Sequence, residues 1–177
     1  MIAIFDYGAG NLRSVENTLQ SLGASYEIVR DAAGLGRAEK IILPGVGHFG
    51  QMMRALDQLQ VRAAFVERIR AGVPFLGICL GMQALFERST EAPEAEGLGV
   101  YSGGVERFAA GVRAPHMGWN ELELRGSPRL FRGLGDRPYV YFAHSYFVPA
   151  AVAGDRAAAL VDYSVRYAAA LEVDNVY

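Results

Sequence analysis

The segment VPFLGICLGMQALFE, residues 73–87, decides the fold of this 177-residue chain. Its apolar first half predicts a strand that runs into Gly77-Ile-Cys79-Leu-Gly81, and good helix formers follow from Met82 to Phe86. Glycines on both sides of a nucleophile permit a sharp strand-to-helix turn that lifts the side chain above the sheet. The segment therefore predicts a nucleophile elbow with Cys79 at its tip.

Cys79 is the single cysteine of the chain, so no internal disulfide can form. A small buried hydrophobic residue is the alternative interpretation of a lone cysteine, but the elbow context favours a nucleophile. A thiol at a helix N-terminus faces the positive end of the helix dipole and unpaired backbone N–H groups. We therefore expect the pKa of the Cys79 thiol to lie below its ordinary value of about 8.5.

Outside the elbow, the first half of the chain alternates strand and helix patterns. Apolar runs followed by turn residues predict strands at residues 2–5, 26–29, 41–43 and 74–78. Helical periodicity predicts a helix over residues 12–22 and a pair of helices, broken near Gln60, after the third strand. The second half predicts strands joined by short turns, at residues 100–108, 119–124, 139–148, 157–163 and 167–173.

These patterns predict an α/β fold: an open doubly wound, flavodoxin-like, mostly parallel sheet extended by antiparallel strands. We expect a single domain over residues 1–177. The formal net charge is −2 with scattered basic residues, which argues against nucleic acid and anionic membranes as partners. No apolar run approaches the roughly 20 residues of a membrane span, and the N-terminus does not resemble a signal peptide. We expect a cytoplasmic protein that needs no metal or cofactor.

The elbow resembles a known family signature. Residues 77–83, GICLGMQ, are similar to the G-x-C-x-G-x-Q pattern of class I glutamine amidotransferases, whose cysteine attacks the carboxamide of glutamine, forms a thioester and releases ammonia. Within that class, four segments resemble the glutaminase subunit of imidazole glycerol phosphate synthase, an enzyme of histidine biosynthesis: DYGAGNLRS (6–14), LPGVGHFG (43–50), PHMGWN (115–120) and FAHSY (142–146). The resemblance implies a heterodimer with a cyclase subunit, a (β/α)8 barrel that uses the channelled ammonia to make imidazole glycerol phosphate and AICAR.

A crevice beside the elbow is predicted from both the local pattern and the resemblance. Residues 44–47, PGVG, follow the third parallel strand, and their glycines let backbone N–H groups approach a ligand. The resemblance implies an oxyanion hole made by the backbone of Leu80 with Val46 or Gly47, a kind of donor that matters by about 100- to 1,000-fold in rate. An ordinary strand-to-helix turn is the alternative interpretation.

Further roles rest on the resemblance alone. It implies that L-glutamine is bound by Gly45, Gln83, Glu91 and the backbone of His144, Ser145 and Tyr146. Glu91 is expected to take the ammonium of the substrate, although residues 90–96, TEAPEAE, are equally typical of a solvated acidic loop. The resemblance also implies that Asn11, His116 and Trp119 face the partner subunit.

The chain departs from the family pattern in one respect. The family completes its catalytic triad with a histidine and a glutamate from a His-Pro-Glu motif, and residues 1–177 lack that motif and the C-terminal strand and helix around it. His48, His116 and His144 fall at other family positions. We therefore expect negligible glutaminase turnover from these 177 residues.

Three alternatives remain open. The chain could be a catalytically dead or non-catalytic partner subunit, or a class I amidotransferase that serves another acceptor. A nucleotide-binding module is suggested by Gly8-Ala-Gly10 after the first strand, but Arg13 stands where G-x-G-x-x-G requires its last glycine.

Overall fold

A four-stranded parallel sheet forms the first half of the computed structural model, which describes residues 1–177. Its strands are β1 Ile2–Phe5, β2 Tyr26–Val29, β3 Lys40–Gly45 and β4 Phe75–Cys79. They are arranged in the order β2-β1-β3-β4, which is the beginning of the flavodoxin-like order. All four predicted strands are confirmed. Ligands of such sheets bind beyond the carboxyl ends of the strands, and β4 ends at Cys79.

Four helices lie between these strands. They are α1 Leu12–Ser21, α2 Ala32–Arg37, α3 Phe49–Gln58 and α4 Arg62–Arg70. The predicted break near Gln60 is confirmed, because Gln60 has a φ of 55° between α3 and α4. Helix α2 was not predicted. Asp31 caps its N-terminus, because the Asp31 side chain accepts a hydrogen bond from the backbone N–H of Gly34.

The main hydrophobic core lies between the parallel sheet and helices α3 and α4. Phe5, Phe65 and Phe75 are fully buried, and their rings meet edge to face with centroid distances of 4.8 and 6.1 Å. Full burial of one such side chain contributes about 1.5–3 kcal/mol. This packing fixes the positions of β1 and β4, and so of the residues that follow them.

The helix after the elbow is shorter than predicted. Helix α5 covers only Leu80–Gln83, and Phe86–Ser89 forms strand β5. A helix continuing through Phe86 was therefore a wrong prediction. The carbonyls of Ala84 and Leu85 accept hydrogen bonds from the N–H groups of Leu98 and Tyr101, so this part of the chain is held by tertiary contacts rather than by its helix propensity.

The second half is mostly antiparallel. Its elements are β6 Tyr101–Arg107, β7 His116–Glu121, β8 Glu123–Leu124, β9 Tyr139–His144, β10 Tyr146–Pro149, α6 Ala150–Ala153, β11 Ala157–Asp162 and β12 Arg166–Leu171. They form a six-stranded sheet in the order β5-β6-β10-β12-β11-β8 and a separate two-stranded sheet, β7-β9. The predicted combination of a mostly parallel sheet with antiparallel strands is confirmed, although the antiparallel strands form sheets of their own.

Two further features concern the edges of the fold. Tyr177 donates to the carbonyl of Phe75 over 2.8 Å and accepts from the N–H of Gly77 over 2.9 Å, so the last residues pair with the outer edge of β4. The predicted strand over residues 139–148 is interrupted at Ser145, where the chain passes from the two-stranded to the six-stranded sheet.

No helix in the structure has the length and apolar character needed to cross a membrane.

Candidate active site

Cys79 occupies the predicted turn between strand β4 and helix α5. Its backbone has a φ of 55° and a ψ of −111°, a conformation that residues with a side chain rarely adopt. Such strained backbone costs about 1–3 kcal/mol and persists only where the surroundings enforce it. The structure therefore contains the strand-to-helix elbow that residues 73–87 predicted.

Glycines enforce this geometry by close backbone packing. A Cβ on Gly81 would lie 1.9 Å from the carbonyl oxygen of Leu43, and a Cβ on Gly45 would lie 2.6 Å from the N of Gly81. A Cβ on Gly77 would lie 2.6 Å from the carbonyl oxygen of Gly81. The end of β3 thus packs against the first turn of α5 without any side chain between them.

A crevice of about 270 Å³ opens at Cys79. It brings together almost all of the predicted catalytic and substrate-binding residues: Val46, Gly47, Cys79, Leu80, Gln83, Glu91, His144, Ser145 and Tyr146. Gly45 is buried and does not line the crevice. Gly45 packs closely behind the elbow, and its contact with substrate stays a prediction.

The thiol is accessible but surrounded by protein on most sides. Burial raises the pKa of Cys79, the backbone N–H of Leu80 lowers it, and the negative charge of Glu91 raises it further. The net direction is upward, so the predicted decrease in pKa is wrong. The helix N-terminus does supply a favourable donor, but desolvation by the crevice walls outweighs it.

Backbone donors near the sulfur differ in their availability. The N–H of Val46 donates to the hydroxyl of Tyr7 over 3.1 Å, and that hydroxyl donates to the carbonyl of Val46, also over 3.1 Å. Gly47, with a φ of 95°, has no protein acceptor for its N–H. Of the two residues predicted to form the oxyanion hole with Leu80, Gly47 has a backbone N–H available for a ligand, whereas the N–H of Val46 is bonded to Tyr7.

Glu91 lies in the crevice and is not a freely solvated loop residue. Its Oε2 accepts a hydrogen bond of 2.8 Å from the N–H of Phe49, the first residue of helix α3. The positive end of that helix dipole stabilises the carboxylate. The second carboxylate oxygen has no protein donor and can accept one from a ligand.

The carbonyl of Tyr146 connects two other crevice residues. It accepts hydrogen bonds of 2.9 Å from Nε2 of Gln83 and from Nδ1 of His144. Burial lowers the pKa of His144 to about 4, the hydrogen bond to Tyr146 raises it, and the charge of His116 lowers it. His144 is therefore neutral at physiological pH, with its Nδ1 proton committed to this contact.

The three residues predicted to face the partner are placed differently. Trp119 is 70 % exposed, on the outer face of the β7-β9 sheet. His116 is 3 % exposed and lies beneath that face, so its predicted position in the contact surface is wrong. Asn11 is exposed, and its side chain caps helix α1 by accepting from the N–H of Ser14.

Other exposed apolar side chains surround Trp119. They are Met117, Tyr139 and Tyr141, which share its face of the two-stranded sheet. Tyr141 stands opposite Trp119 in register, and the two rings meet edge to face at 5.8 Å. We refer to these four residues as the aromatic face; contiguous exposed apolar surface of this kind is typical of an interaction site.

Sequence patterns missed two tyrosines of the site, Tyr7 and Tyr167. The hydroxyl of Tyr7 hydrogen bonds to the backbone of Val46. The hydroxyl of Tyr167 hydrogen bonds to the rings of both His116 and His144. Both contacts join residues far apart in the chain, so no local signal could have identified them. The structure contains no group of three or more His, Cys, Asp or Glu side chains placed to hold a metal ion.

Comparisons with known proteins agree with this geometry. The family model "Glutamine amidotransferase class-I" matches residues 3–175. The chain is 43% identical to the imidazole glycerol phosphate synthase subunit HisH of Deinococcus radiodurans, over 99% of this chain and 82% of that protein. It is 46% identical to the HisH subunit of Desulfitobacterium hafniense, over 100% of this chain and 83% of that protein.

Solved structures share the fold at lower identity. The structure of PurLQS from Thermotoga maritima superposes with a TM-score of 0.72 at 18% identity, covering 99% of this chain and 83% of that one. A crystal structure of a glutamine amidotransferase gives a TM-score of 0.69 at 22% identity, covering 91% and 84%. The chain belongs to the class I glutamine amidotransferase family and, within it, to the HisH subunits of imidazole glycerol phosphate synthase.

Proposed function

We propose that this chain binds L-glutamine in the crevice and that Cys79 attacks its carboxamide carbon. A C–S bond forms, the C–N bond breaks, and the leaving nitrogen takes the proton of the thiol, which gives ammonia and a glutamyl thioester. Water then hydrolyses the thioester, which releases glutamate and restores the thiol. The observation that carries this proposal is the strained elbow, which aims the only thiol of the chain into a crevice lined by backbone donors.

The crevice suits an amino acid of this size and charge. Pockets for small ligands typically start at about 300 Å³, and the crevice measures about 270 Å³. Glu91, held by the α3 N-terminus, would bind the α-ammonium through its free oxygen. Gln83 and the backbone of residues 144–146 would bind the rest of the substrate. The hydrogen bonds of Gln83 and His144 to the Tyr146 carbonyl order these groups within the crevice and support this assignment.

The tetrahedral intermediate would be stabilised by backbone N–H groups. We assign this role to Leu80, whose backbone N–H lowers the pKa of the neighbouring thiol, and to Gly47, whose N–H has no protein acceptor. Val46 could join them only after its N–H leaves the Tyr7 hydroxyl. Each such donor is typically worth about 100- to 1,000-fold in rate.

Proton transfer is the step that residues 1–177 support least. His48 uses Nδ1 to accept from Gly50, His116 is buried, and His144 is bonded through both ring nitrogens. None of them is free to act as a general base for Cys79, a function usually worth about 100- to 10,000-fold. We infer that these residues alone permit acylation of the thiol but little sustained turnover.

The ammonia is proposed to pass to a cyclase subunit with a (β/α)8 barrel, which would form imidazole glycerol phosphate and AICAR in histidine biosynthesis. We place this heterodimer contact on the aromatic face, with Asn11 at its margin. Free ammonia protonates in water, so a sealed contact serves the chemistry. The exposure of Trp119 and its neighbours supports this placement.

Covalent labelling tests the proposal. A diazoketone analogue of glutamine should modify Cys79 stoichiometrically, and millimolar L-glutamine should slow the reaction. Cys79→Ser should give no adduct at the same position, and L-asparagine, one methylene shorter, should protect poorly. A folded chain that does not react would contradict the proposal.

A non-catalytic partner subunit is the second candidate. The raised pKa of Cys79 and the committed histidines favour it. The same experiment separates the two, since a scaffold subunit would react with the analogue no faster than with a simple alkylating agent. Ammonia release by residues 1–177 together with the cyclase, at a rate close to that of an amidotransferase that carries the His-Pro-Glu motif, would show that another residue performs the proton transfer.

A further inference from the structure

A buried chain of hydrogen bonds runs beneath the aromatic face to the glutamine crevice. Nδ1 of His116 lies 2.7 Å from the hydroxyl of Tyr167, and that hydroxyl lies 2.9 Å from Nε2 of His144. Nδ1 of His144 then lies 2.9 Å from the carbonyl oxygen of Tyr146. We call these four residues the relay. Tyr167, at its centre, is 1 % exposed and contacts no crevice surface itself.

The direction of every proton in the relay follows from the carbonyl at its crevice end and from the neutral state of His144. A carbonyl oxygen only accepts, so Nδ1 of His144 must carry the hydrogen. In a neutral imidazole Nε2 is then an acceptor, and Tyr167 must donate to it. The hydroxyl has a single hydrogen, so it accepts from Nδ1–H of His116. The geometry allows one arrangement only.

Stacked aromatic rings keep the relay from rearranging. His116 lies between Phe142 and Tyr163, with centroid distances of 4.6 and 3.8 Å and ring planes within 12° and 7° of parallel. Phe108 meets the Tyr167 ring edge to face at 5.7 Å. Rotation of either histidine ring would therefore require several neighbours to move together.

The relay ends at a carbonyl that the substrate site depends on. Tyr146 is the first residue of β10, and Ser145 before it is the corner where the chain leaves β9. The Tyr146 carbonyl also accepts from Nε2 of Gln83, which fixes the orientation of that amide and leaves its oxygen for other partners. The peptide orientation at this corner thus determines how two crevice side chains are presented.

We propose that Tyr167 is a positioning residue of the glutamine site: its hydroxyl selects the Nδ1–H tautomer of His144, and His144 then anchors the Tyr146 carbonyl that orients Gln83. This inference rests on the proposed function, because it assumes that the crevice binds glutamine. Tyr167 touches no substrate and acts only through His144.

The tautomers can be measured without any substitution. Nitrogen-15 NMR of the histidine rings in the full chain should show both His144 and His116 as neutral Nδ1–H tautomers at pH 7. Tyr167→Phe should convert His144 to a mixture of tautomers, because Nε2 loses its donor. A predominantly Nε2–H form of His144 in the unmodified protein would overturn the proposal, even if the variant cannot be purified.

A matched pair of variants tests the effect on the site. Tyr167→Phe removes the relay hydroxyl, whereas Tyr163→Phe removes a hydroxyl from the same aromatic cluster that donates only to the carbonyl of Arg113. Labelling of Cys79 by the diazoketone analogue gives an apparent dissociation constant and a maximal rate. Tyr167→Phe should weaken the apparent affinity by about 5- to 10-fold, the effect of roughly one hydrogen bond. The maximal rate should change by less than about threefold.

The outcomes distinguish this inference from the function on which it rests. If Tyr163→Phe and Tyr167→Phe weaken affinity equally, or if only the maximal rate falls, the positioning role is wrong while the glutaminase proposal stands. If the unmodified chain is not labelled, the proposed function fails, and the tautomer spectrum still decides whether the relay exists as described.

Discussion

Replacing Gly81 by alanine should damage both the stability and the reactivity of the elbow. The new Cβ would lie 1.9 Å from the carbonyl oxygen of Leu43 and 3.0 Å from its carbonyl carbon, and both atoms belong to the backbone of β3. Neither can move aside without shifting a central strand. Overpacking of this kind typically costs about 1–3 kcal/mol, and a clash with rigid backbone on a buried strand places Gly81→Ala at the upper end, about 3 kcal/mol.

Gly36→Ala provides the matched control. Gly36 lies in helix α2, does not adopt a positive φ, and has open space where a Cβ would lie, with no other atom within 4 Å. The same chemical change should there stabilise the protein by about 0.4–1 kcal/mol, because alanine restricts the unfolded chain and favours a helix. The two substitutions should therefore shift the free energy of unfolding in opposite directions.

Urea unfolding followed by circular dichroism measures both effects. For a chain of this size, each 1 kcal/mol also shifts the melting temperature by about 2–4 °C. Gly81→Ala should in addition slow labelling of Cys79 by about 100-fold, since a displacement near 1 Å is enough to disrupt an aligned reactive group. A Gly81→Ala protein with stability within about 1 kcal/mol of the original and unchanged labelling would refute the packing argument.

Three other perturbations have defined outcomes. Glu91→Gln removes a charge that raises the pKa of Cys79, so the pH midpoint for alkylation by iodoacetamide should move to lower pH, and an unchanged midpoint would contradict this charge effect. Trp119→Ala should weaken calorimetric binding to the cyclase by about 2 kcal/mol or more, whereas Leu22→Ala, equally exposed on another surface, should not. Because burial lowers the pKa of His144 from 6.5 to about 4, the unfolded chain binds more protons between these values. The stability from neutral His144 should be complete above pH 6.5 and decline toward pH 4, by up to about 3 kcal/mol, and His144→Gln should flatten this part of the urea-unfolding profile.

The parallel sheet and the elbow were predictable because their signals are local. Each strand of the parallel sheet is a short apolar run followed by turn residues, and the bounds of β1 and β2 agree with the prediction residue for residue. The elbow needs only flanking glycines and a change from strand to helix formers, all within residues 73–87. The neighbouring position of β3 and β4 then follows from their succession in a doubly wound sheet.

The errors share a different origin, namely contacts between distant residues. Helix α5 ends at Gln83 because the carbonyls of the next two residues accept hydrogen bonds from Leu98 and Tyr101. Helix propensity cannot predict these contacts. The direction of the Cys79 pKa depends on how closely the crevice walls surround it, not on its helix alone. The burial of His116 has the same origin, because the rings of Phe142 and Tyr163, distant in the chain, stack against its imidazole.

The strained backbone at Cys79 lowers the stability of the fold at the position of the proposed nucleophile. Glycine would adopt a φ of 55° and a ψ of −111° with little strain, while any residue that carries a sulfur must be forced into it. Stability alone would therefore favour glycine at this position. If Cys79 is the nucleophile proposed above, the rest of the fold offsets this local strain at the reactive position.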